Sequence, residues 1–97
     1  MKRLHLIVQG SVQGVNFRDF VHQAAVDAKI TGTVQNLQDG TVEIIAEGEE
    51  NILKEFFRTV KEDYLPARVE SIQAVWSGAT GAYSCFRILY RNFLDRL

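Results

Sequence analysis

The sequence predicts an α+β sandwich: two helices on one face of a four- to five-stranded antiparallel sheet, in the order strand, helix, strand, strand, helix, strand. Two stretches carry apolar residues at helical spacing, and short runs of strand length lie before, between and after them. An Asp39-Gly40 pair joins two of those runs as a hairpin turn would.

The first strand is the apolar run Leu4-His5-Leu6-Ile7-Val8. Phe17, Phe20, Val21, Ala24, Ala25 and Ala28 then recur at i, i+3, i+4, i+7, which places a helix from about Phe17 to Lys29-Ile30, before Gly32. Asn16 is its expected N-cap, with Asp19 completing a capping box and Val15 and Phe20 a hydrophobic staple. Residues 33–38 and 41–47 flank Asp39-Gly40 as two antiparallel strands with a type I′ turn. Val42, Ile44 and Ala46 are assigned to the core, and Thr41, Glu43 and Glu47 to water.

Gly48-Glu49-Glu50 opens a second helix, whose apolar stripe is Ile52, Leu53, Phe56, Phe57 and Val60 and which ends ahead of Pro66. A strand follows over residues 69–76, with Ile72, Ala74 and Trp76 on one face and Val69 and Val75 on the other. A small-residue loop leads to a last strand over residues 83–90, with Phe86, Ile88 and Tyr90 on one side. Residues 91–97 read as either a short helical turn or a frayed tail. The order is that of the split βαβ, or ferredoxin-like, arrangement.

At 97 residues the chain is expected to form one domain, residues 1–97, able to bury roughly 60–70% of its unfolded surface. Apolar content of 46% with 24% charged residues is that of a globular protein. A net charge of −1 argues against a general nucleic-acid binder, which needs a basic surface to neutralise phosphates. Cys85 is the single cysteine, so no internal disulfide forms and a reducing, cytoplasmic setting is expected. No apolar run reaches the roughly 20 residues of a membrane span, and no targeting segment is read.

The stretch that carries chemistry is Gly10-Ser11-Val12-Gln13-Gly14-Val15-Asn16-Phe17-Arg18, at the junction of the first strand and helix. Glycines at 10 and 14 allow positive φ, which lets successive backbone N–H groups converge into an anion-binding nest. Arg18 falls in the first helical turn, where the macrodipole already presents about half a positive charge. A cation there costs roughly 0.3–1 kcal/mol unless an anion sits beside it, and with a bound phosphate it becomes a clamp. The spacing alone leaves open an ordinary turn with a solvated arginine. Asn36 stands on a strand the fold brings close, and its amide can accept from water while donating to a phosphate oxygen. Alone, it reads as the approach to the Asp39-Gly40 turn.

These stretches, residues 10–18 and Gly32-Thr33-Val34-Gln35-Asn36-Leu37-Gln38-Asp39-Gly40-Thr41-Val42-Glu43, together resemble the acylphosphatase family, whose paired signatures read approximately G-R-V-Q-G-V-x-F-R and G-x-V-x-N-x-x-D-G-x-V-E. The likeness covers nearly the whole chain. It implies hydrolysis of an acyl phosphate to a carboxylate and inorganic phosphate, with no metal or organic cofactor. It also implies that the backbone of Ser11, Val12, Gln13, Gly14 and Val15, with the Arg18 guanidinium, binds the phosphoryl group while Asn36 orients the attacking water. The expected partners are a small-molecule acyl phosphate and its products, with no nucleic acid and no membrane, and the chain is expected to be a monomer.

Two other readings compete: a phosphate-sensing or carbamoyl-phosphate-handling module without turnover, and an RNA-recognition-type domain of the same topology. The second needs stacking aromatics in the middle strands, and residues 41–47 contain none. His5 and His22 lack metal-ligand spacing and are assigned to surface or sheet, while Cys85 is assigned to a strand as a packed or half-exposed side chain. Asp19 is assigned to the helix start, with Arg18 as its other available partner. The family's frequent Arg is Ser11 here, which removes a positive charge beside the loop but no backbone donor. Ser11→Arg should therefore raise kcat/KM on an anionic substrate at low ionic strength. An unchanged kcat/KM in that buffer would refute this electrostatic account.

Overall fold

The computed structural model describes residues 1–96. The elements are β1 (Lys2–Ser11), α1 (Phe17–Asp27), β2 (Thr31–Asn36), β3 (Val42–Gly48), α2 (Glu50–Glu62), β4 (Arg68–Gly78), β5 (Phe86–Leu89) and a 3₁₀ turn, Phe93–Arg96. The sheet order is β4-β1-β3-β2-β5. Both helices pack on one face, as the apolar periodicity predicts. Leu4, Leu6 and Val8 of β1, Val42, Ile44 and Ala46 of β3, and Val34 of β2 meet Phe17, Val21 and Ala25 of α1 and Leu53, Phe56 and Val60 of α2 in one buried cluster. Of the two readings the sequence leaves open for residues 91–97, the structure has the short helical turn, at Phe93–Arg96, although Leu97 lies outside the described residues.

The sheet is mixed, not antiparallel throughout: β5 runs parallel to β2 while the other pairs are antiparallel. The reason is where β4 ends. Gly78 pairs with Lys2, Arg3 with Glu47 and Glu47 with Thr31, so β4 finishes at the end of the sheet where β2 begins. A strand that crosses from there to lie beside β2 must run in the same direction. It is also shorter than the sequence suggests, because only Phe86–Leu89 reach the ladder.

That crossing accounts for another departure. Glu47, assigned to water by alternation, is buried at 4% exposure. Its carboxylate accepts from Arg3 Nε at 2.8 Å, from the Thr80 N–H and Oγ1 at 3.0 and 2.8 Å, and from the Gly81 N–H at 3.0 Å. The segment that crosses the sheet end is thus tied to β3 through one side chain. Thr41 is buried as well, with Asp39 Oδ1 accepting from both its N–H and its hydroxyl.

The hairpin turn is not type I′. Gly40 N–H donates to Leu37 O at 3.2 Å and Leu37 N–H to Thr41 O at 2.9 Å, which closes a three-residue loop. Type I′ needs positive φ at both central residues; Gly40 has φ 92°, but Asp39 is not among the positive-φ residues. Ile52 is 41% exposed and leaves the apolar stripe of α2 to its neighbours. On β4, Ile72 is half-buried, yet Ala74 and Trp76 on the same side are exposed, because the helices cover the central strands and leave this edge bare.

The four donors around Glu47 outweigh the opposing effect of burial and hold its carboxyl at about 2, against an ordinary value near 4.5. A depressed carboxylate stabilises the fold above its unfolded value and loses that contribution as pH falls through the folded one. Glu47→Gln should therefore be clearly less stable than wild type at pH 6, on the order of 1.5–3 kcal/mol for a charge-assisted bond. In urea titrations that gap should narrow steadily between about pH 5 and 2; a constant gap would contradict the assignment.

Candidate active site

Strand register brings the two motifs together. Val8 on β1 faces Val42 on β3, and Val42 faces Asn36 on β2, so the three lie in one row across the sheet. With strands about 4.8 Å apart, the end of β2 lies on the order of 10 Å from the chain as it approaches the end of β1. Alternation turns Asn36 to the helix side with Val34, and it is 6% exposed.

The chain leaves β1 through a bulge between Gln9 and Gly10. Gly10 has φ 135°, and a Cβ there would lie 2.0 Å from the Arg68 carbonyl oxygen. Ser11 is still strand, paired with Arg68, so the loop proper begins at Val12, whose side chain is buried in the core. Gly14 has φ 78° with open space around its Cβ position. Two side chains fix the loop from opposite sides. Gln13 Nε2 donates to the carbonyls of Leu37 and Thr41 at 2.9 and 2.8 Å, tying it to the β2–β3 hairpin. Tyr64 Oη donates to the Val15 carbonyl at 2.6 Å, and the Tyr64 ring stacks on Phe20. Among the described residues, the N–H groups of Gln13, Gly14, Val15 and Asn16 donate to no protein acceptor.

The helix starts at Phe17 as predicted, but Asn16 does not cap it with its side chain. It adopts a left-handed conformation, φ 62° and ψ 25°, with no side-chain cap hydrogen bond. A capping side chain needs an extended backbone to reach the N2 or N3 amide. Asn is one of the few residues that tolerates the left-handed region, so its role here is to turn the backbone. Its carbonyl accepts from Phe20 N–H, which leaves the N–H groups of the first helical turn unpaired within the helix.

Arg18 extends from this helix end. Its Nη1 donates to Asp95 Oδ2 at 3.0 Å and its Nη2 to the Asp95 carbonyl at 2.8 Å, while the Tyr90 ring lies 4.9 Å from the guanidinium carbon. Its anionic partner is therefore Asp95 rather than Asp19. Asn36 Nδ2 donates to the other oxygen of the same carboxylate, Oδ1, at 3.4 Å. The buried Asn36 Oδ1 has no partner among the described residues. Burial opposes ionisation of Asp95, but the Arg91 N–H and the Arg18 charge prevail and hold its carboxyl below the ordinary range.

These groups surround a cavity of about 550 Å³, lined in part by Val12, Gln13, Gly14, Phe17, Arg18, Asn36, Tyr90 and Asp95. Of the residues singled out in the sequence, Val12, Gln13, Gly14, Arg18 and Asn36 come together here, whereas Ser11 and Val15 do not line it. The arrangement can hold a small oxyanion between a guanidinium, an amide and loop N–H groups, with a buried amide oxygen left to orient a water. Tyr90, Asp95 and the clamps made by Gln13 and Tyr64 have no local signature in the sequence. Arg18 and Asp95 are 77 positions apart.

The other titratable side chains lie elsewhere. His5 Nε2 lies 2.9 Å from Glu43 Oε2 in a pair the sequence did not suggest, and His22 Nε2 contacts the Phe86 carbonyl oxygen at 3.2 Å. Cys85 is exposed in a bend just before β5, not on a strand. Among the described residues no group of three His, Cys, Asp or Glu side chains is placed to hold a metal ion.

Comparison with known proteins gives a consistent result. Residues 4–88 match the family model described as Acylphosphatase. The chain is 42% identical over 87 residues to the acylphosphatase of Caldanaerobacter subterraneus subsp. tengcongensis, covering 90% of this chain and 97% of that protein. It is 42% identical over 91 residues to the acylphosphatase of Dehalococcoides mccartyi, covering 93% and 100%. Among solved structures, the acylphosphatase from Bacillus subtilis superposes with a TM-score of 0.88 at 41% identity, covering 93% of this chain and all of that one.

Proposed function

Because the chain belongs to the acylphosphatase family, we propose that its reaction takes place in the cavity where Arg18 and the loop at residues 12–15 meet Asn36. The enzyme hydrolyses the mixed anhydride of small acyl phosphates to a carboxylate and inorganic phosphate. The observation that carries the placement is convergence: Arg18 and Asn36, from two separate elements, donate to the two oxygens of one carboxylate. A pair arranged to grip one small anion is suited to grip another, and a phosphoryl group offers more oxygens to the same donors.

Arg18 and the free loop N–H groups bind the phosphoryl oxygens and neutralise charge as it develops, which is most of what phosphoryl transfer asks of a protein. Asn36 donates through Nδ2 to a phosphoryl oxygen and accepts from water through Oδ1, which aims the water oxygen at phosphorus. As the new P–O bond forms, the bond from phosphorus to the acyl oxygen breaks, and its electron pair leaves with the carboxylate. The water proton passes to a phosphate oxygen, so no protein base is needed with a leaving group this weakly basic. Gln13 and Tyr64 act on the frame, holding the loop in register with β2. The exposed Cys85 thiol suits a reducing cytoplasm, and a net charge of −1 does not supply the basic surface a general nucleic-acid binder needs.

Benzoyl phosphate, followed by its ultraviolet absorbance, tests these roles. Asn36→Ala should lose about 10²–10³ in kcat, the cost of one preorganised polar group, with a much smaller loss of inhibition by inorganic phosphate, because Arg18 and the loop N–H groups still hold the anion. Arg18→Ala should lose both turnover and phosphate inhibition. An Asn36→Ala enzyme that binds phosphate normally and turns over as fast as wild type would remove Asn36 from the mechanism.

A further inference from the structure

The carboxylate that reveals the site also fills it. Asp95 Oδ2 accepts from Arg18 Nη1 at 3.0 Å and from the Arg91 N–H at 2.9 Å, Oδ1 lies 3.4 Å from Asn36 Nδ2, and the Asp95 carbonyl takes Arg18 Nη2 at 2.8 Å. The Asp95 side chain is 4% exposed. Its backbone is closed into a compact turn by Asp95 N–H, which is shared between the Asn92 carbonyl and the Asn92 Oδ1. Both terminal nitrogens of the guanidinium are thus engaged by one residue, together with the side-chain amide nitrogen of Asn36.

Resting on the active-site reading above, we propose that Asp95 is an intramolecular competitor for the phosphoryl site, so that the C-terminal turn must withdraw before an acyl phosphate can bind. The chemistry of exclusion is direct. A phosphoryl group gripped by Arg18 and Asn36 needs the donors that Asp95 holds, and two anions placed there together would repel each other in a partly buried cavity. The tether is short, since Asp95 lies six residues beyond the end of β5 at Leu89, which keeps the competitor at high effective concentration. Substrate affinity is then lowered by the fraction of molecules whose turn is withdrawn, while the chemical step after binding is untouched. Asp95 is not a catalytic residue here; it sets how readily the site opens.

The test compares wild type with Asp95→Ala and with the near-isosteric Asp95→Asn, measuring benzoyl phosphate kinetics and, separately, inorganic phosphate binding by calorimetry. Folding of both variants is checked by circular dichroism. Displacing the competitor should lower KM and the phosphate dissociation constant together, by roughly 3- to 10-fold in the alanine variant, with kcat not reduced. If Asp95 instead serves to position Arg18 for catalysis, kcat falls and phosphate binding weakens or stays the same in both variants, and the proposal is overturned. Arg18→Ala in the Asp95→Ala background separates the two layers. Loss of phosphate binding there upholds the active-site reading whichever way the Asp95 comparison falls, whereas retained binding would show that Arg18 is not the anion clamp.

Discussion

A guanidinium at the positive end of a helix needs an anion, and the arrangement around Arg18 follows from that need. The macrodipole and the unpaired N–H groups of the first turn add to the charge of Arg18, so the helix start favours a carboxylate or a phosphate and disfavours being left bare. Asp95 supplies the anion within the chain. In the proposed reaction an acyl phosphate supplies it from outside, with more oxygens to share among more donors. The charge that makes this end of α1 costly to leave alone is the charge that makes it useful.

The proposed site would not work if its parts could drift, and the framework around it is correspondingly over-determined. The row Val8, Val42, Asn36 fixes where β2 delivers its amide. Gln13 binds the loop to the hairpin that carries Asn36, and Tyr64 binds it to the segment following α2. A backbone nest gains from such clamping because its donors must be aimed before the charge develops, without reorganising at the moment of reaction. Phe20 stacked against Tyr64 links the same clamp to the first turns of α1, so the loop, the helix start and the hairpin behave as one unit.

How much of this the sequence discloses depends on how local the cause is. Helix periodicity, the start at Phe17, the glycines at 10 and 14 and the pairing of Arg18 with Asn36 are legible because a few neighbouring residues or a paired motif determine them. Features set by distant parts of the chain are not. Alternation puts Glu47 in water because nothing nearby shows that the crossing at Thr80 and Gly81 will offer it N–H groups. The parallel course of β5 follows from which end of the sheet β4 finishes at, which no run of residues encodes. Asn16 was legible as a helix boundary but not as a left-handed one, since the same residue type favours both conformations. Asp95 belongs to a tail without periodicity, and only the folded geometry places its carboxylate against Arg18.

The central claim is that the cavity holds the phosphoryl group and aims water at phosphorus rather than at the acyl carbon. Single-turnover hydrolysis of benzoyl phosphate in ¹⁸O-labelled water, with mass analysis of both products, tests it most directly. The account predicts one labelled oxygen in the inorganic phosphate and none in the benzoate. Label in the benzoate would mean attack at the carbonyl, and the division of labour between Arg18 and Asn36 would have to be abandoned.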